Sequence, residues 1–288
     1  MSLMEGVGTM LVLSRKLGQS VVINDLIDTV DAFTDSQLPT AVGESYNVGN
    51  DIPGATTIMA SVFPAAYSPK LANGDRMTRE EFHRLYLESP DDLVAELIGG
   101  IVYLASPLRL RHGTHHLQLG TVFVNYQSQT PGVEAADNAT VMLGDQGEPQ
   151  PDLFLRILPE CGGQSRTADD DYVDGPPELI AEIADSSRAI DLHAKYEDYR
   201  RYGVLEYLVA CLPEKELRWF DLRNDRELHA DGDGIIRVRT FPGLWIDAAA
   251  LFGNDPARLI ATLHQGLAAP EHGDFVAKLA AQRSQISG

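Results

Sequence analysis

Residues 178–203 read ELIAEIADSSRAIDLHAKYEDYRRYG, and the two halves of this stretch carry different periods. ELIAEIA is a short apolar run closed off by Pro and Gly before it and Asp after it, which suits a buried strand better than a helix of ordinary length. Strand alternation puts Leu179, Ala181 and Ile183 on one face and Ile180, Glu182 and Ala184 on the other. Both faces are apolar, so Glu182 is expected inside, where a lone carboxylate either takes up a proton or finds a cation. Beyond the DSS turn the period changes to helical. Leu192, Lys195, Tyr199 and Tyr202 share one stripe with Tyr196, and that stripe should face the core with Lys195 on it.

An inward Lys needs acidic neighbours. Glu182 is one, and Asp152 in PDLFL, Pro151–Leu155, at the head of a second short apolar run, is the other. Taken singly each residue has a plainer reading: Asp152 starts a strand after a turn Pro, Glu182 pairs with a core Arg, and Lys195 snorkels to solvent. Their joint occurrence, in the order strand Asp, strand Glu, helix Lys, points to a metal-binding nuclease site.

Around this centre the pattern is mixed α/β. Thr78 caps a first helix, with Glu81 completing a capping box. AELIGGIVYLA, residues 95–105, forms two strands about the Gly99–Gly100 turn, with Glu96 in the first. HLQLGTVFVNY is a helix, and VEAADNATVML, EYLVACL, ELRWFDL and GIIRVRT supply further strands. Residues 159–175 read as a surface loop that either closes over the site or joins strands. Trp219 and Trp245 sit among few basic residues and read as packing rather than base-stacking positions. DPARLIATLHQGLA and DFVAKLAAQRSQ are amphipathic helices suited to packing on the domain or on a second copy, which leaves a homodimer open.

These residues also carry a family resemblance. From Met77 to Phe252 the chain resembles the Uma-two family, a bacterial branch of the PD-(D/E)XK nuclease superfamily with restriction endonucleases among its members. The matching pieces keep the family's order: MTREEFHRL, AELIGGIVYLASP, RHGTHHLQLG, QPDLF, GPPELIAEIADSS, KYEDYRRYGVLEYLV and FPGLWIDAAALF. The resemblance implies a restriction-endonuclease-like core, a mixed central β-sheet flanked by helices. It implies catalytic roles for Asp152, Glu182, Lys195 and Glu96; hard-cation chemistry then offers Asp152, Glu182, Glu96 and the Ile183 carbonyl as ligands of Mg²⁺ or Mn²⁺. Two departures accompany it. The superfamily's E-x-K would place Lys at position 184, where this chain has Ala184, and Lys195 on the neighbouring helix stands in for it. DSS also replaces the family's more usual Ser-Pro-Ser, which bears on any role of Ser187.

The implied activity is metal-dependent endonucleolytic hydrolysis of nucleic acid, with DNA the expected polymer. The rival is a nuclease-fold module without catalysis that binds a protein partner or nucleic acid. The rival draws on charge: the 288 residues carry a formal −19, and polyanion binding is favoured by basic surface. Two basic clusters offset this locally, Arg109, Arg111, His112, His115 and His116 at a helix start, and Lys195, Arg200 and Arg201; the plain reading is that nearby acids balance both. His112 resembles a family His, and its plain reading is a cap or surface residue. Three His without Cys match no structural zinc pattern, and HGTHH is not HExxH, so zinc is not expected. No P-loop, GxGxxG or GxSxG occurs, which sets aside the corresponding nucleotide and serine-hydrolase chemistry.

With 44% hydrophobic residues the chain can bury a sizeable core. Two cysteines are too few for a disulfide framework, and no apolar run approaches a membrane span, so a cytoplasmic protein is expected. Three regions follow: an N-terminal extension over 1–75, a nuclease-like domain over 76–252 and a helical tail over 253–288. Within the extension, MLVLSRKLGQSVVIN at 10–24 resembles the opening of the carbon storage regulator family of RNA-binding proteins, whereas residues 31–57 are polar and Gly-rich and read as linker.

Overall fold

The computed structural model describes residues 70–90 and 92–286, and the backbone of three short strands before them. The chain divides into two compact units, Met1–Pro69 and Lys70–Gly288. In the first, β1 (Leu11–Val12) runs parallel to β3 (Ile58–Ser61), and β2 (Ser45–Val48) runs antiparallel to it. β2 falls within the stretch read as linker; its Ser-Tyr-Asn-Val sequence alternates polar residues with good strand formers. Apart from Leu11–Val12, the segment resembling carbon storage regulators lies outside the described residues.

The second unit opens with α1 (Arg79–Leu87), capped by Thr78, which accepts from the Glu81 amide at 3.3 Å. β4 (Ala95–Ile98) and β5 (Ile101–Leu104) form the hairpin expected about Gly99–Gly100, both of which take positive φ, 58° and 75°. That conformation suits a two-residue hairpin turn and costs Gly little. The long α2 (Leu110–Gln129) follows, then β6 (Val133–Asp137), β7 (Val141–Met142) and β8 (Leu153–Ile157). Residues 159–175, read as a loop, instead hold a 3₁₀ turn at Pro159–Cys161 and two short strands, β9 (Arg166–Thr167) and β10 (Val173–Asp174). Pairing of β10 with both β7 and β9 satisfies backbone groups that composition alone assigns to solvent.

β11 (Leu179–Ala184) and β12 (Glu206–Cys211) are buried along their whole length. They pair in parallel, as near-continuous apolar strands covered on both faces tend to. β13 (Glu216–Asp221) and β14 (Arg226–Leu228) continue on one side and β8 and β6 on the other, giving the order β14-β13-β12-β11-β8-β6. Every neighbour pair except β11/β12 is antiparallel, so the central sheet is mixed. β15 (Ile235–Arg237) and β16 (Trp245–Asp247) form a separate ribbon leading into α4 (Ala248–Phe252).

The sheet's two faces carry two cores. Leu179, Ala181 and Ile183 pack with Leu119, Val122, Phe123 and Tyr126 of α2. The same core takes in Leu259 and Leu263 of α5 (Pro256–Leu267) and Phe275 and Leu279 of α6 (Pro270–Ile286). Ile180 and Ala184 join Tyr199, Tyr207 and Phe220 on the opposite face. The alternation read in ELIAEIA is therefore the division between the cores, and Glu182 belongs to the second. Trp219 is buried and Trp245 half-buried under Arg237.

Candidate active site

The register of the sheet brings Asp152 to Glu182. The last ladder pair between β8 and β11 is Leu153 with Ala181, and one step further Asp152 stands opposite Glu182. There side chains replace the backbone ladder. Asp152 Oδ2 accepts from the Ile183 amide at 2.7 Å, and Glu182 Oε2 accepts from the Asp152 amide at 3.4 Å.

Lys195 arrives from the far side of the DSS turn. Ser187 Oγ donates to Asp191 Oδ2 at 2.6 Å, and the Ser187 carbonyl accepts from the Ile190 and Asp191 amides. These bonds start a π-helical stretch, Ile190–Lys195, that runs into α3 (Tyr196–Tyr202). The wide i→i+5 turn is uncommon and recurs at functional sites. Lys195 points inward as its stripe requires, and it is only 5% exposed. Its Nζ lies 2.9 Å from Glu96 Oε1, 3.0 Å from Glu182 Oε1 and 4.0 Å from Asp191 Oδ1. Tyr199, one turn on, donates its hydroxyl to Glu182 Oε1 at 2.8 Å. Glu96 Oε1 also accepts from the Gln150 amide at 2.8 Å, which ties the β4–β5 hairpin to the strand end carrying Asp152.

Burial and neighbouring charge set the protonation of these groups. Burial raises the Glu182 pKa well above the ordinary carboxylate range; Lys195 opposes the shift while Asp152, Asp191 and Glu96 add to it. Burial likewise lifts Asp191 to about 6 despite Lys195 and Ser187. For Lys195 burial works against the ammonium, but Glu182, Glu96 and Asp191 outweigh it and hold its pKa well above normal. Asp152 is pushed up by burial and down by His112, the Ile183 amide and Lys195, and the downward effects win.

The four expected residues are thus brought together: Asp152 against Glu182, and Glu182 and Glu96 on Lys195. Asp191 and Tyr199 belong to the same group and were not singled out from sequence. The inward stripe that gave Lys195 already contained Tyr199, whereas Asp191 depends on the π-helical stretch, which has no simple sequence period. His112 departs from its plain reading as a cap or surface residue. It is 6% exposed, and its Nε2 lies 3.3 Å from Asp152 Oδ1. That carboxylate is the main reason its pKa is raised, against the opposing effect of burial. The basic clusters are largely neutralised, as their plain reading has it. Arg111 pairs with Asp185, Arg200 with Glu197 at 2.9 Å, and Arg201 lies 3.9 Å from Asp198.

The fold is that of a mixed α/β protein, with a six-stranded sheet flanked by helices, Asp152 opposed to Glu182 at the end of one strand pair and Lys195 between carboxylates. Residues 79–249 match the Uma2 family, described as "Putative restriction endonuclease", and the chain belongs to that family. Among solved structures it is similar to the "Crystal structure of a putative nuclease belonging to DUF820 from Anabaena variabilis ATCC 29413", at 15% identity and a TM-score of 0.47, over 59% of this chain and 96% of that one. Comparison with curated proteins found no match. No helix among the described residues is long and apolar enough to cross a membrane.

Proposed function

We propose that this protein is a metal-dependent endonuclease that hydrolyses phosphodiester bonds of DNA, with Asp152, Glu182, Lys195 and Glu96 as its catalytic set. The observation that carries the reading is the buried Lys195 ammonium between Glu96 and Glu182, with Asp152 opposed to Glu182 across the end of the strand pair. Four carboxylates, those of Glu96, Asp152, Glu182 and Asp191, surround one ammonium. Burial and mutual repulsion push Glu182 and Asp191 toward their protonated forms, and a further cation is the alternative to that proton uptake. Oxygen donors of this kind suit Mg²⁺ or Mn²⁺. Lys195 contacts one oxygen of Glu96 and one of Glu182; the second oxygens, of which that of Glu182 also accepts from the Asp152 amide, would join Asp152 and the Ile183 carbonyl as the donor set.

A divalent cation held there supplies Lewis acidity toward the phosphate and a bound water of lowered pKa. The Glu182, Glu96 and Asp191 carboxylates outweigh burial and raise the Lys195 pKa well above its ordinary value, which favours the ammonium. Lys195 therefore acts by charge, stabilising the phosphate oxygens as negative charge gathers on them, and not as a proton acceptor. Tyr199 fixes Glu182, and Glu182 with Glu96 aims Lys195, so the ammonium is set in place before substrate arrives. Cys161 and Cys211 are free, buried thiols, in keeping with a reducing cytoplasm.

The test is nicking of supercoiled plasmid with Mg²⁺, with Mn²⁺ and with EDTA, by the full chain and by Asp152→Asn. Cleavage that needs metal and is lost in a folded Asp152→Asn protein is the expected result. Undiminished cleavage by that variant refutes the assignment. Metal binding without cleavage of any polymer favours instead the non-catalytic module that the net charge of −19 suggests.

A further inference from the structure

Two imidazole nitrogens near Asp152 have no role in the chemistry described above. His112 and His116 are four residues apart on α2, so both project from one face of the helix. Their rings meet edge to face at a centroid distance of 5.9 Å and 87° between planes. The Nε2 atoms of both are buried, and each faces a carboxylate, His112 that of Asp152 and His116 that of Asp137. Two buried imidazole nitrogens turned toward carboxylates make a mixed nitrogen and oxygen donor set that a cation would complete. One donor atom each from His112, His116 and Asp152 lie within 4.8 Å of one another, the one such trio of metal-ligating side chains among the described residues. His112 Nε2 and Asp152 Oδ1, at 3.3 Å, already have the separation of two donors about 2.1 Å from one ion. Asp137 Oδ2, 3.6 Å from His116 Nε2, offers a fourth donor at the rim. His115 is not part of the group: its Nδ1 is hydrogen-bonded to the Arg111 carbonyl at 2.7 Å.

We propose that His112, His116 and Asp152 form a binding site for a first-row transition-metal dication, Mn²⁺, Co²⁺ or Zn²⁺ in preference to Mg²⁺, sharing Asp152 with the carboxylate–lysine cluster. The inference rests on the nuclease reading only in that Asp152 is shared with the donor set proposed there; binding at the imidazole site does not depend on that reading. Imidazole nitrogen strengthens the hold on Mn²⁺, Co²⁺ and Zn²⁺ in rising order, whereas Mg²⁺ prefers oxygen and keeps its water. Helical i,i+4 spacing is a compact way for two His to share an ion. The sequence expectation that excluded zinc compared HGTHH with HExxH; the pair that matters is His112 and His116, with the carboxylate from a strand that is remote in sequence.

The test uses the full chain stripped of metal and titrated with Co²⁺, Zn²⁺ and Mg²⁺, following the visible absorption of Co²⁺ and the heat of binding. Wild type should bind Co²⁺ with a spectrum of nitrogen coordination. His116→Asn should weaken Co²⁺ and Zn²⁺ on the order of 100-fold while leaving Mg²⁺ within a few-fold, and His115→Asn should change neither. Asp152→Asn should weaken all three ions. Equal Co²⁺ affinity in wild type and His116→Asn, with loss in Asp152→Asn, overturns the imidazole site and leaves the carboxylate nuclease site standing. Failure of wild type to bind Co²⁺ or Zn²⁺ also overturns it, and if Mg²⁺ fails to bind as well the nuclease reading loses its metal. Circular dichroism of each variant establishes that loss of binding is not loss of fold.

Discussion

Replacing Lys195 by Met keeps most of the side chain's volume and removes one buried charge. The ammonium lies 2.9 Å from Glu96 and 3.0 Å from Glu182, and its side chain is 6% exposed. At an effective dielectric constant near 20, each contact is worth roughly 5 kcal/mol of gross Coulomb attraction, against several kcal/mol for stripping water from the ammonium. Removing the Lys recovers that desolvation cost but leaves Glu182 and Asp191 buried without their cation. Breaking one side of a buried pair costs about 3–5 kcal/mol in such settings. In a domain of this size that lowers Tm by roughly 6–20 °C.

The loss should depend on pH, with a definite sign. Without Lys195 the folded-state carboxylate pKa values rise further above their unfolded values. The folded protein then binds more protons than the unfolded chain, and stability falls as pH rises through that window. Each added proton changes stability by about 1.4 kcal/mol per pH unit across it. Urea unfolding followed by the fluorescence of the buried Trp219 should give a deficit of about 3–5 kcal/mol at pH 8 and a clearly smaller one at pH 5. Adding Glu182→Gln to Lys195→Met should recover about 2 kcal/mol or more at pH 8, because the orphaned charge is gone. A deficit under about 1 kcal/mol at pH 8, or one equal at both pH values, refutes the reasoning that Lys195 compensates buried carboxylates.

Asp191→Asn should stabilise the metal-free protein at neutral pH. The folded-state pKa of Asp191 is about 6 against an ordinary value of 3.8, so its burial costs up to about 3 kcal/mol above pH 6, a cost that vanishes as pH falls toward 4. Melting curves at pH 4.5 and 7.5 check this: the gain should be confined to the higher pH, and a gain equal at both sinks the explanation. Gly266→Ala tests the packing of α5 on the β15–β16 ribbon. A Cβ there would stand 2.2 Å from the Gly243 carbonyl oxygen and 2.6 Å from Trp245 Cγ, so a loss of at least about 1–3 kcal/mol is expected in urea unfolding. No loss would mean that the ribbon shifts freely against the helix.

What could be read from the sequence was what short periods encode. Alternation in ELIAEIA assigned Glu182 to an enclosed face, the helical stripe turned Lys195 inward, and Gly99–Gly100 announced a hairpin whose turn uses positive φ. What escaped depends on contacts distant in sequence. The opposition of Asp152 and Glu182 follows from one register of an antiparallel pair joined through a segment that holds its own short strands. Local pattern says which face a residue takes, not which residue stands across from it. Glu96 reaches Lys195 because its hairpin docks through the Gln150 amide, again a long-range contact. The burial of His112 escaped for the same reason: its partner, Asp152, lies on another element.

The charge of the site bears on how the proposed endonuclease would meet a polyanion. Glu96, Asp152, Glu182 and Asp191 set four carboxylates against the single Lys195; fully ionised they would leave three negative charges in excess, a figure that the raised pKa values of Glu182 and Asp191 lower by proton uptake. A phosphodiester approaching that centre meets repulsion from part of the −19 that the whole chain carries. The exposed arginines do little to soften it, since Arg111 and Arg200 are already paired with acids. A divalent cation reduces the fully ionised excess from three to one, and a protonated His112 would remove the remainder. The electrostatics therefore favour an order of events in which the cation binds first and the nucleic acid second. In the proposed endonuclease the negative charge of the empty site repels nucleic acid, and a bound cation would relieve that repulsion.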